Sequence, residues 1–176
     1  MPSKLSKDRT KLFIKNFGAD IVTAISGTGL FFPAVVGQKC GESGYGTSPL
    51  AVKYNNFGGI RNFGSLSGAI GTTSSGYAIF RTPLDCFKVY VSQLQSPTKK
   101  YTKNGVFTAT SPEDQIKKIV NSGYSSTPAS QYLALCQSAI DSARLIVPLG
   151  RITDLTASIG QIKTSTIWQT QENIQL

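Results

Sequence analysis

The chain contains no histidine among its 176 residues. That absence excludes Ser-His-Asp and Cys-His nucleophile systems. It excludes His-ligated zinc as well. Cysteine is scarce and dispersed: Cys40, Cys86 and Cys136 form no C-x-x-C pair. An odd, scattered set is neither a disulfide framework nor a zinc site, and each lies in an apolar helical stretch, where a buried thiol is expected. No metal and no cofactor are therefore expected. No apolar run reaches the length of a membrane span. The basic, polar start Met1-Pro2-Ser3-Lys4 has no apolar segment behind it, so a conventional secretory signal is not expected. Acidic residues are few, 9 against 18 Lys and Arg, for a net charge of +9. What chemistry remains is that of a small number of carboxylates.

The positive excess attracts polyanions. Nucleic acid is one such partner, and a cell wall with acidic peptides is another. The Lys and Arg residues are scattered, apart from Lys99-Lys100 with Lys103. Nucleic-acid modules instead gather them on one element, so no nucleic-acid partner is expected. Apolar residues at 40% and charged residues at 15% give the balance of one globular domain with a sizeable core.

Hydroxyl-proline pairs mark helix starts at Ser48-Pro49, Thr82-Pro83, Ser111-Pro112 and Thr127-Pro128. The hydroxyl caps orphan N–H groups, and proline loses nothing at the first helical position. Thr82 with Asp85, and Ser111 with Asp114, have capping-box spacing. Phe13, Phe17, Ile21 and Ile25 recur every four residues and predict a helix over 9–25. A small, apolar, central helix is expected from Pro33 to Gly41, and a short one over 49–54. Glycines punctuate short runs of Ile, Phe, Tyr and Thr over 57–80, which reads as a small β lobe. Further helices are expected near 83–94, over 112–120 with Gly123 as its cap, and over 128–145 with Tyr132, Cys136, Ala139, Ile140 and Ala143 inward. Ile152, Leu155, Ile159 and Ile162 have helical seam spacing. A polar tail is the competing expectation for 147–176. Gly27-Thr28-Gly29 has neither the strand nor the third glycine of a phosphate loop and reads as a turn.

Glu42 stands where the central helix runs out, in Cys40-Gly41-Glu42-Ser43-Gly44-Tyr45-Gly46. A carboxyl there meets the negative end of the helix dipole, and apolar neighbours desolvate it. Both effects favour the neutral acid, the form that can protonate a glycosidic oxygen. The flanking glycines would let a polymeric ligand approach the backbone. An exposed glutamate in a glycine-rich turn is the alternative. Tyr45, Tyr77, Tyr101 and Tyr132 offer flat faces and hydroxyls to sugar rings, or equally are core rings with satisfied hydroxyls.

The stretch Gly41-Glu42-Ser43-Gly44-Tyr45-Gly46-Thr47-Ser48, followed by Asn55-Asn56-Phe57-Gly58-Gly59-Ile60, resembles the glucosaminidase domain of glycoside hydrolase family 73, flagellar and autolysin-type peptidoglycan hydrolases. Phe80-Arg81 before a helix, and Gly123-Tyr124-Ser125-Ser126-Thr127-Pro128 followed by Tyr132, match later segments in the same order. The resemblance spans about residues 9 to 146. It implies a mainly α, lysozyme-like fold with a small β lobe beside a cleft, a glucosaminidase domain over 1–146, and a tail or short helix over 147–176. It implies that Glu42 is the general acid of an endo-β-N-acetylglucosaminidase. It also implies that Tyr124 lines the catalytic centre and that Asn56 and Phe57 shape the cleft floor. Peptidoglycan strands are the implied partner, and a monomer the implied state. With no signal segment expected, the place of action is the periplasm or cell wall, reached by a phage-type lysin or a non-classically exported enzyme.

One departure from the family pattern bears on mechanism. Many members carry a second carboxylate on the β lobe, but this sequence has no Asp or Glu between Glu42 and Asp85. The equivalent stretch, Thr72-Thr73-Ser74-Ser75-Gly76-Tyr77, is rich in hydroxyls. Attack by the substrate's own 2-acetamido group, by a hydroxyl-held water, or by the sugar's 6-hydroxyl as in lytic transglycosylases all remain open. A non-catalytic glycan-binding module remains open too.

Overall fold

The computed structural model describes residues 2–165 except 63 and 65; the last part of the expected tail, 166–176, lies outside them. Helix α1 runs Lys4–Ile25, α2 Phe32–Ser43, α3 Pro49–Tyr54, α4 Pro83–Gln95, α5 Pro112–Ile119, α6 Ala129–Ile146 and α7 Leu155–Thr164. Strands β1 (Gly71–Thr72) and β2 (Ala78–Ile79) pair antiparallel, with Gly71 opposite Ile79 and Thr72 opposite Ala78. The fold is mainly α with a small β lobe. No described helix is long and apolar enough to cross a membrane.

The centre is α2, which packs against α1, α5 and α6. Its first nine residues are all buried, which is why its sequence is small and apolar rather than amphipathic. Gly37 sets how close α6 can come. A Cβ there would stand 2.4 Å from Ile140 Cγ1 and 3.1 Å from the Cys136 carbonyl. One contiguous core joins α1, α2 and α4 through Phe13, Ile21, Phe32, Val36, Phe57 and Phe87. The three cysteines are free and buried. Loss of solvation pushes the Cys86 thiol up to about 11 and the Cys136 thiol up to about 12, so they behave as inert apolar groups.

Three of the four expected caps form: Ser48, Thr82 and Ser111 accept the N–H groups of Ala51, Asp85 and Asp114. Thr82 and Asp85 complete a reciprocal capping box. Asp114 instead accepts from the N–H of Thr110. Thr127 caps nothing, because Pro128 is still extended (ψ 140°) and α6 begins at Ala129 without a side-chain cap. Helix α1 starts at Lys4, five residues before the expected Arg9, with Ser3 accepting from Ser6 N–H. The added turn carries a buried hydroxyl, Ser6, rather than an apolar group. Thr10 donates to the Ser6 carbonyl, and Ser138 Oγ bonds Ser6 Oγ at 2.6 Å.

Beyond α6 the chain folds back. Phe31 bridges to Arg151, Leu149 and Ile152 join the core, and α7 packs along α1. Of the expected seam, Ile152 and Ile162 are buried while Leu155 faces solvent. The helical expectation for this segment holds over 155–164, and its packing face is narrower than the spacing implied.

Helices α5 and α6 are also tied by charge. Arg144 donates to both Glu113 carboxylate oxygens, at 2.6 and 2.7 Å. This bidentate hydrogen bonding, more than any other influence, holds the Glu113 carboxyl down to about 2 from an ordinary 4.5. A depressed carboxyl stabilises the fold above its unfolded value and loses that contribution as pH falls through its folded value. Both side chains are partly exposed, and solvent screening keeps the worth of the pair near 1 kcal/mol. Arg144→Met should therefore lower unfolding stability by about 1 kcal/mol at pH 7. Urea melts at stepped pH should show the gap between variant and wild type closing from about 4.5 down to about 2. A gap that stays constant across that window would contradict the assignment.

Candidate active site

Glu42 lies in the last turn of α2, inside the helix rather than after it. Gly44 caps the helix in the left-handed region (φ 57°), and Tyr45 and Gly46 follow with φ of 60° and 80°. Three consecutive positive φ values turn the chain sharply, so the glycines here serve the turn and the core. A Cβ on Gly46 would stand 2.9 Å from the Phe17 ring. None of Gly41, Gly44 and Gly46, the glycines flanking Glu42, is among the residues lining the cleft beside it.

The side chain of Glu42 opens into a cleft of about 540 Å³. One wall is Gly58-Gly59-Ile60-Arg61, at the root of the β lobe. The other side carries Gln93, Leu94, Lys99, Tyr101, Gly123, Tyr124, Ser125 and Tyr132. Among the described residues lining this cleft, Glu42 has the only carboxyl group. The β lobe contributes none, in keeping with the gap in acidic residues between Glu42 and Asp85.

Each oxygen of that carboxyl is held. Oε2 accepts from Lys39 Nζ at 2.7 Å. Oε1 accepts from the Tyr132 hydroxyl at 2.5 Å and from Gln38 Nε2 at 3.3 Å. Lys39 is fully buried, while the Glu42 side chain remains 16% exposed. The ammonium also donates to the Tyr124 hydroxyl at 3.2 Å and sits 3.8 Å from the centre of the Tyr90 ring. Tyr90 in turn donates to Gln38 Oε1 at 2.6 Å. The setting is thus a closed polar network, not the apolar shell expected around a lone carboxyl. Burial is the main reason that Tyr90, Tyr124 and Tyr132 are all raised well above the ordinary phenol value. They stay neutral and able to donate. Buried side-chain polar atoms among the described residues all have partners, as a network of this kind requires.

The residues singled out in the sequence separate into three groups. Glu42, Tyr101, Tyr124 and Tyr132 meet at the cleft. Tyr124 is brought there by the wide turn Val120–Tyr124, where Gly123 at φ 92° reverses the chain. Its ring packs edge-on between Tyr90 and Tyr132. Asn56 and Tyr77 act one layer back. Asn56 is buried, donates to the carbonyls of Ile60 and Ala78, and accepts from the N–H of Ile60. It shapes the glycine wall rather than offering a surface to ligand. Tyr77 carries the Arg61 guanidinium 3.9 Å over its ring, and its hydroxyl accepts from Arg61 at 3.1 Å.

Tyr45 and Phe57 are not among the lining residues. Tyr45 bonds Ser6 and lines a separate small cavity with Arg9, Leu12, Gly44 and Thr47. Phe57 is a core ring, 4.7 Å from Phe17 and 5.2 Å from Phe87 between centroids. The ring is buried among apolar neighbours. Lys39, Gln38 and Gly58 were not foreseen. For Lys39 and Gln38 the signal was present, since a Gln-Lys pair interrupting a small apolar helix stands three and four residues before Glu42, one turn below it.

The family described as mannosyl-glycoprotein endo-beta-N-acetylglucosaminidase, the glucosaminidase domain, matches residues 20–145. No curated protein sequence matches the chain at a significant level. Among solved structures, the chain is similar to one in a type VI secretion system effector–immunity complex from Pseudomonas protegens. The TM-score is 0.57 at 18% identity, covering 76% of this chain and 93% of that one. At such identity the likeness is one of fold.

Proposed function

The chain belongs to the glucosaminidase family, and from that premise we propose that it is an endo-β-N-acetylglucosaminidase acting on the glycan strands of bacterial cell wall, with Glu42 as general acid. The observation that carries this reading is the placement of a single carboxyl, fixed at both oxygens, facing an open cleft. In its protonated form Glu42 gives its proton to the bridging glycosidic oxygen. The C–O bond then breaks and the leaving sugar departs as an alcohol. Water completes the anomeric carbon, and its surplus proton returns the site to its starting state. Tyr101, Tyr124 and Tyr132 supply ring faces and hydroxyls beside the scissile bond. Arg61 and Lys99 are the only other charged lining residues among those described, and both are cations. That suits a glycan whose peptides are acidic.

The lack of a second carboxyl in the cleft favours a route that asks for only one. Either the substrate's 2-acetamido oxygen attacks the anomeric carbon before water does, or the 6-hydroxyl attacks and leaves an anhydro end. Mass spectrometry of digested peptidoglycan decides this. Reducing N-acetylglucosamine ends are the expected product. Reducing muramic acid ends would refute the linkage, and anhydro-muramyl ends would establish transglycosylation instead. Bound fragments with no product at all would mark a non-catalytic glycan module.

A further inference from the structure

We infer that Lys39 is a positioning residue for Glu42, and that its buried ammonium stabilises the negative charge that appears on the carboxyl when the proton leaves. The inference rests on the reading of Glu42 as the acid. A lysine with no exposed surface is costly in a protein interior unless it is paired and hydrogen-bonded. It stands in a helix whose other buried residues are otherwise mostly small or apolar, so packing alone gives no reason for it. Its contacts all converge on the site. It lies 2.7 Å from Glu42 Oε2, donates to the Tyr124 hydroxyl at 3.2 Å, and rests on the Tyr90 face. Being fully buried, it cannot be a sugar contact, and it reaches the reaction only through Glu42.

The groups that face this carboxyl come from every packed element: Gln38 and Lys39 from α2, Cys86 and Tyr90 from α4, Tyr124 from the 120–124 turn, and Tyr132 and Cys136 from α6. Lys39 is the one cation among them. In the ground state of proton donation Glu42 is neutral. At the transition state it is becoming an anion, and a fixed positive charge 2.7 Å away already points at it. Such pre-set electrostatics lower the barrier without any rearrangement. In a cleft with no second carboxyl, the whole proton traffic falls on this pair.

The test is Lys39→Met, assayed on purified peptidoglycan. We expect kcat to fall by roughly 30- to 100-fold with KM unchanged within about twofold, because no substrate contact is lost. We also expect the alkaline limb of the pH–activity profile to move up by about two pH units, because the neighbouring cation no longer favours proton loss. A variant that loses activity only in proportion to its folded fraction, with the limb unmoved, would show that Lys39 merely fills space. If Lys39→Met does not fold, 15N-lysine NMR of the wild type supplies the answer. The Lys39 ammonium protons should be protected from exchange and should shift on Glu42→Gln. An ammonium that exchanges like a free lysine would overturn the inference. Wild-type protein inactive on peptidoglycan would bring down the proposed function and this role together. Active wild type with an unaltered Lys39→Met profile would bring down this role alone.

Discussion

Glu42→Gln should abolish release of reducing sugar from purified cell wall, with a fall in kcat of about 10³-fold or more. The amide matches the carboxyl in size and shape, so the cleft should keep its form. Its carbonyl oxygen can still accept one hydrogen bond from Lys39 or Tyr132, which now bind the carboxyl at 2.7 and 2.5 Å. What is lost is the transferable proton and the negative charge that Lys39 answers. Stability should drop as well, by about 1–3 kcal/mol, because a buried ammonium is left with a neutral partner. Circular dichroism melts separate that effect from the catalytic one. A folded variant has at most a small deficit in concentration, which cannot account for three decades of rate. Undiminished activity in folded Glu42→Gln would remove this carboxyl from the chemistry, and with it the case for the cleft as an active site.

The fold was legible wherever a local rule has one physical outcome. Proline after a hydroxyl residue gave three helix starts correctly, and the four-residue recurrence from Phe13 to Ile25 located the body of α1. The failures are equally local. The first turn of α1 was missed because Ser6 is buried by hydrogen bonding, which no apolar pattern records. Thr127 resembled the other caps, but Pro128 stays extended and leaves Ala129 to begin α6.

The site divides in the same manner. Glu42 stands out in sequence through its motif, and the absence of acids before Asp85 foretold a cleft with one carboxyl. The partners of Glu42 were harder to read. Lys39 and Gln38 lie on its own helix at one-turn spacing, and that much was available. Tyr90 and Tyr132 come from helices that only tertiary packing brings to the same spot. Phe57 and Tyr45 mislead for the opposite reason. They sit within motifs that reach the cleft, yet the Phe57 ring packs into the core and Tyr45, at φ 60° in the turn after α2, bonds Ser6 of α1.

Gly58→Ala should cut kcat/KM by about 10²-fold while leaving the fold intact. Gly58 does not occupy the left-handed region, so alanine meets no backbone strain there. The cost lies in the space ahead of it. A methyl group would stand 2.9 Å from Lys39 Nζ and 3.3 Å from Glu42 Oε2, closer than van der Waals contact allows at the first of these atoms. Lys39 cannot retreat into solvent, since it is fully buried against Tyr90 and Tyr124. Either the ammonium gives way and unsettles the carboxyl, or the methyl stays and narrows the approach of the glycosidic oxygen. Both routes reduce turnover. Thermal unfolding should move by only a few degrees, in line with a change of about 1 kcal/mol, whereas the Glu42→Gln and Lys39→Met proteins lose half of a buried ion pair. Wild-type kinetics in Gly58→Ala would mean that the substrate does not enter past this wall, and that the proton leaves Glu42 by another face.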